Sequence, residues 1–193
     1  MSVIRQFSLF SAGSGSPEPD DLAGLLAGGG QIAVHPGTEN AQVSIVVDHP
    51  WRAGSIVAEC ARRGLAATSV STVSEHICVR TAYSPALVPL AQAWAGDRAP
   101  RGLMLDGHSL RLWVLAVGRQ ETPLAYVLPI GRADEAARAI IGGALAAVGL
   151  GAQLVSPRGF GLSYRIVGKR RLQRLAELAG DPPMQAPADI WPS

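Results

Sequence analysis

The chain has 193 residues, of which 48% are hydrophobic and 17% charged, a balance that excludes an intrinsically disordered protein and allows one sizeable domain or two halves sharing a core. The net charge of +2 conceals an asymmetry: residues 1–98 carry six arginines against eight acidic residues, and residues 99–193 carry eleven basic against seven acidic. All but one of the 17 basic residues are arginine, whose planar guanidinium suits phosphate.

In chain order, residues 1–19 read as a flexible leader. Val3, Ile4, Phe7 and Phe10 allow an extended arm, and Ser11–Pro19 is loop by composition. Asp20 or Asp21 is expected to cap a helix from Leu22, which stops at Gly28-Gly29-Gly30. Gln31–Val34 and Gln42–Asp48 predict a strand pair around the turn His35–Asn40. Pro50 opens a helix to about Arg63, with Ile56, Val57, Cys60 and Ala61 as its apolar stripe and Gly64 as its stop. Ala66–Ser71 and His76–Thr81 predict a second strand pair. Ser84-Pro85 then starts a helix through Trp94, with Leu87, Leu90, Ala91 and Trp94 on one face.

Asp97–His108 reads as a linker, after which the order repeats. Arg111–Val117 is a helix, Ala125–Ile130 a strand and Ala133–Val148 a long helix stopped by Gly149. Gly151–Val155 and Leu162–Val167 are strands, Lys169–Ala179 is the last helix, and the Pro-rich tail is irregular, with Trp191 free to dock. The organisation expected is a leader over 1–19, a first half over 20–97, a linker over 98–108, a second half over 109–181 and a tail over 182–193.

Internal self-similarity supports this reading. ARRGLAATSVS at Ala61–Ser71 matches AAVGLGAQLVS at Ala146–Ser156, and LVPLAQAWAGD at Leu87–Asp97 matches RLQRLAELAGD at Arg171–Asp181. Arg80 falls opposite Arg165, and AGGGQ at Ala27–Gln31 falls opposite AVGRQ at Ala116–Gln120. The fold class expected is α+β, a tandem αββαββα duplication.

The helix LAGLLAGGGQ at Leu22–Gln31 and its weaker partner RLWVLAVGRQ at Arg111–Gln120 resemble the LAGLIDADG motif of homing endonucleases. The resemblance implies a saddle: two antiparallel sheets around a paired central helix interface, able to lie in the major groove of DNA. It also implies a divalent metal held by an acidic residue at the end of each helix. The matching positions are Ala27, Gly29, Ala116 and Gly118, none of which can ligate a metal. No enzyme activity and no cofactor are therefore expected. Members that lost cleavage include the WhiA-like sporulation and cell-division regulators, whose helix-turn-helix has no counterpart before Ser193. The resemblance thus implies a non-catalytic regulator that binds DNA through its saddle, with a protein-interaction module as the alternative.

Alternation places Cys78 and Arg80 opposite Ile77 and Val79, and Ser163 and Arg165 opposite Leu162, Tyr164 and Ile166. If the apolar sets face the helices, Arg80 and Arg165 point into the saddle. The dense basic run Lys169, Arg170, Arg171 and Arg174, with Arg158 nearby, is a second phosphate-contact candidate or the solvated face of the last helix. Val46, Cys78, Leu128 and Val167 are expected as saddle positions poor in polar chemistry, which favours protein association. Leu22, Gly24, Leu25 and Trp113 are expected at the helix interface, with Gly24 as a hole facing Trp113.

Cys60 and Cys78 lack ligand spacing, and His35, His49, His76 and His108 show no metal pattern. No signal peptide or membrane span is legible. A cytoplasmic protein, monomeric because its halves already pair, is the expectation.

Overall fold

The computed structural model describes residues 15–72, 76–95, 98–156, 161–187 and 189–192. A short turn of 3-10 helix over Pro19–Leu22 leads into α1 (Ala23–Ala27), then β1 (Gln31–Val34), β2 (Ala41–Val47), α2 (Pro50–Arg62), β3 (Ala67–Ser71), β4 (Ile77–Thr81), a second 3-10 turn (Pro85–Leu87) and α3 (Val88–Ala93). The second half runs α4 (Gly107–Val117), β5 (Arg119–Thr122), β6 (Ala125–Pro129), α5 (Glu135–Ala147), β7 (Gln153–Val155), β8 (Ser163–Val167) and α6 (Lys169–Ala179). The two antiparallel sheets have the same strand order, β1-β2-β4-β3 and β5-β6-β8-β7. This is the duplicated α+β architecture that the internal repeat implied.

Three differences from the sequence reading have a cause visible in the contacts. α4 begins at Gly107 rather than Arg111, because the Asp106 carboxylate accepts the Ser109 N–H at 2.8 Å and caps the first turn. β5, absent from the sequence reading, pairs with β6 through Arg119↔Val127 and Gln120↔Tyr126. Asp21 does not cap a helix at Leu22. It lies inside the first 3-10 turn, where its carboxylate accepts the Glu18 N–H at 2.9 Å.

One face of each sheet carries the helices. Val43, Ile45, Val47 and Val79 in the first sheet, and Tyr126, Leu128, Tyr164 and Ile166 in the second, are buried against them. The core is continuous across both halves, joined by α1 and α4.

Those two helices cross where side chains vanish. A Cβ on Gly24 would lie 1.8 Å from the Ser109 carbonyl oxygen, so only glycine admits α4 at this distance. Trp113 does not face Gly24. Its ring lies against Gly28, one turn further along, where an added Cβ would meet the Trp113 Cδ1 at 3.0 Å. The indole N–H of Trp113 donates to the Pro129 carbonyl at 2.9 Å, and Leu22 and Leu25 fill the space around the crossing, fully buried.

α2 is more polar inward than its stripe suggested. Ile56 and Cys60 are buried, Val57 is half-buried and Ala61 is exposed, while Arg52, Glu59 and Arg63 turn inward. Arg63 donates to Asp21 at 2.9 Å and to Glu59 at 2.8 Å, and Arg111 reaches the other oxygen of Glu59 at 2.8 Å. Arg111 also donates to the carbonyls of Ala179 and Asp181, both at 2.7 Å, and its guanidinium sits 5.4 Å from the centroid of the buried Trp191 ring. The tail is thereby fastened to the helix interface.

Candidate nucleic-acid interface

The other face of each sheet is open. In the first sheet, one row across the strands is Gln31, Ser44, Arg80 and Thr68, and the neighbouring row is Val46, Cys78 and Val70. In the second sheet the row through Arg165 is Arg119, Val127, Arg165 and Gln153. Two sheets of equal strand order thus present Arg80 and Arg165 at corresponding places. β4 and β8 set this by alternation: Val79 and Ile166 go into the core, and the arginines next to them must face away.

The two arginines differ in their partners. Arg80 is exposed, and no carboxylate pairs with it among the described residues. Arg165 is half-buried and ion-paired with Glu121 of β5. Arg119, beside it in the same row, is held by Asp48 at 2.6 Å.

The basic run on α6 belongs to a different surface. Leu172, Leu175 and Leu178 bury α6 on the helix-bearing face of the second sheet, so its cations lie behind Arg165 rather than beside it. Arg171 donates to the Val167 carbonyl at 3.1 Å, and Arg174 to the Val148 carbonyl at 3.4 Å and Glu177 at 3.4 Å. Lys169 and Arg170 are exposed. Arg158 lies outside the described residues. Leu128 is no part of the open face: it is buried in the row of Tyr164. Val46 is exposed at 52% and Val70 at 65%, with Cys78 half-buried between them and Val167 exposed at the rim of the other sheet.

The ends of the two central helices carry different chemistry from the metal-binding acids the sequence motif implied. At α1 the chain closes on itself, with Gly30 N–H donating to the Leu25 carbonyl at 2.8 Å and Gly29 at φ +99°. At α4 the closing group is Arg52, only 1% exposed. Its guanidinium donates to the carbonyls of Val114 at 3.1 Å, Leu115 at 2.7 Å and Gly118 at 2.7 Å, and pairs with Asp48 at 3.1 Å. A cation at a helix C-terminus satisfies both the orphan carbonyls and the negative end of the dipole. Burial pulls the Arg52 guanidinium below its ordinary value, and the charge of Asp48 acts against that pull.

Ala27, Gly29, Ala116 and Gly118 bring no donor side chains to these ends. Asp48, the carboxylate beside the end of α4, is already engaged by two arginines. Among the described residues no three His, Cys, Asp or Glu side chains gather as a metal site, so the residues present do not fit a divalent cation. No helix among the described residues is long and apolar enough to cross a membrane. The signal that sequence reading missed was Arg52: a basic residue in the first turn of an amphipathic helix looks solvated.

No family model and no curated protein sequence matches the chain. Solved structures do. The homing endonuclease I-WcaI bound to its DNA recognition sequence is similar at TM-score 0.61 and 11% identity, over 85% of this chain and 80% of that one. The N-terminal LAGLIDADG domain of DUF199/WhiA is similar at TM-score 0.60 and 12% identity, over 94% of this chain and 97% of the domain. Full-length DUF199/WhiA from Thermatoga maritima is similar at TM-score 0.61 and 12% identity, over 87% of this chain, which spans only 56% of that protein. The chain therefore has the LAGLIDADG fold.

Proposed function

We propose that this chain is a non-catalytic DNA-binding protein, a regulator of the WhiA kind that uses the open sheet faces without cutting the duplex. The observation that carries the reading is Arg80. It is a guanidinium with no carboxylate paired to it among the described residues, flanked by Gln31, Ser44 and Thr68 on the face that a groove would meet. The excess of basic over acidic residues in the second half adds long-range attraction for a polyanion. Cleavage is left out because the helix ends hold Arg52 and glycines where metal-binding carboxylates would be needed. The halves already pair through α1 and α4, so a monomer suffices.

A mobility-shift titration of mixed-sequence duplex DNA tests this. The wild type is expected to bind at low salt, and Arg80→Ala to bind about tenfold more weakly or worse. Absence of a shift by the wild type contradicts the reading.

The row Val46, Cys78 and Val70 favours a second reading, a protein-association face. Self-association that survives added salt, read by light scattering after gel filtration, would support that reading against the first.

A further inference from the structure

We propose that the two halves are unequal partners for DNA: the first sheet, centred on Arg80, makes the groove contact, and the arginines of the second are held in ion pairs, by Glu121 of its own half and Asp48 of the first. This rests on the DNA-binding reading above.

The strand order of the sheets is the same, and so is the placing of their arginines, but their electrostatics differ. In the row through Arg80 the other three positions, Gln31, Ser44 and Thr68, are neutral groups that donate or accept hydrogen bonds. Among the described residues, the charge in that row is Arg80, with no carboxylate paired to it. In the row through Arg165, both cations are ion-paired: Arg165 with Glu121, and Arg119 with Asp48, which also holds the buried Arg52. A phosphate approaching the second sheet meets two carboxylates as well as two guanidiniums. To bind there it must displace Glu121 and leave that carboxylate beside its own charge.

The open face of the first sheet also has an apolar component where duplex DNA has one. Val46 and Val70 flank Cys78 one row from Arg80. In the major groove the thymine methyl is an apolar contact next to hydrogen-bonding base edges, so a mixed row pair of this kind fits the groove. The second sheet places Val127, which is buried, in the centre of its arginine row. On that face Val167 is exposed, at the rim of the sheet.

Arg80→Ala and Glu121→Gln are expected to change binding with opposite signs, which a merely structural role would not produce. Binding is read by fluorescence anisotropy with a mixed-sequence duplex across a salt series. Arg80→Ala is expected to weaken binding about tenfold and to make the log–log salt slope shallower by about one, whereas Arg80→Lys keeps the slope. Arg165→Ala is expected to bind within about twofold of the wild type. Glu121→Gln is expected to bind more tightly and to steepen the slope by about one, because Arg165 is released. The side chains of Arg80, Arg165 and Glu121 reach solvent, so unchanged thermal midpoints are the folding control. Equal losses for Arg80→Ala and Arg165→Ala, or no gain for Glu121→Gln, overturn the asymmetry while DNA binding stands. A wild type that binds no duplex at low salt overturns both.

Discussion

Arg52 donates to the carbonyl oxygen of Gly118 at 2.7 Å, so a residue of the first half closes the central helix of the second. With its bonds to Val114 and Leu115 and its pairing to Asp48, this one guanidinium joins α2, α4 and the end of β2. The duplicated fold is locked by a contact that has no equivalent on the other side among the described residues, where glycines close α1.

Arg52→Ala is expected to cost about 3–5 kcal/mol, because it strands buried carbonyls and leaves Asp48 short of a partner. Arg119→Ala removes the more exposed partner of the same carboxylate and is expected to cost under about 1 kcal/mol. Urea unfolding of both variants checks the contrast, and similar losses would refute the assignment of Arg52 as the closing group.

Gly24→Ala is expected to destabilise by about 3 kcal/mol or more, since the added methyl meets the Ser109 carbonyl of the partner helix rather than a side chain that can move. Gly54→Ala, exposed within α2 with nothing near its Cβ, is expected to stabilise by about 0.5–1 kcal/mol. Thermal unfolding of the two single variants distinguishes a packing glycine from an incidental one.

Two buried groups shape the pH dependence of stability. Burial would raise the Glu59 carboxyl, but hydrogen bonds from Arg111 and Arg63, with their charges, outweigh it and hold the group below its ordinary value. Its contribution is present above the unfolded carboxylate value and is lost as pH falls through the lower folded one. Burial raises the Cys60 thiol from 9.0 to about 11, with Arg63 opposing and Glu59 adding to the shift. That contribution is present below pH 9.0 and lost as pH climbs towards 11. Stability curves of Glu59→Gln and Cys60→Ala are expected to flatten at the acid and alkaline ends respectively.

The cysteines separate by reactivity. Cys78 is half-buried on the open face and is expected to react first with a thiol reagent, whereas buried Cys60 reacts only on unfolding. Duplex DNA is expected to slow the labelling of Cys78, which lies between Val46 and Val70, while leaving Cys60 unaffected. Mass spectrometry of modified peptides reads both.

Much of the fold was legible because period-two alternation in β4 and β8 and the repeat spacing carry architecture directly. β5 was not, since RQET at Arg119–Thr122 is a short edge strand without an apolar alternation. The inward face of α2 was misread because Arg52, Glu59 and Arg63 look solvated until helix ends and partner charges are placed around them. Leu128 was assigned to the open face because β6, unlike β4, is buried on both sides over Ala125–Leu128, which hides its alternation. The difference between Arg80 and Arg165 was invisible for a related reason: Glu121 and Arg165 meet only through sheet pairing across β6.

The most direct test of DNA binding without cleavage is an anisotropy titration with mixed-sequence duplex at about 50 mM and about 200 mM salt, without and with magnesium, each sample then run on a denaturing gel. A phosphate contact by Arg80 predicts micromolar or tighter binding at low salt, weakening by about threefold to fourfold at the higher salt, indifferent to magnesium and leaving the duplex intact. No binding at low salt, or strand breaks that appear with magnesium, would contradict the account.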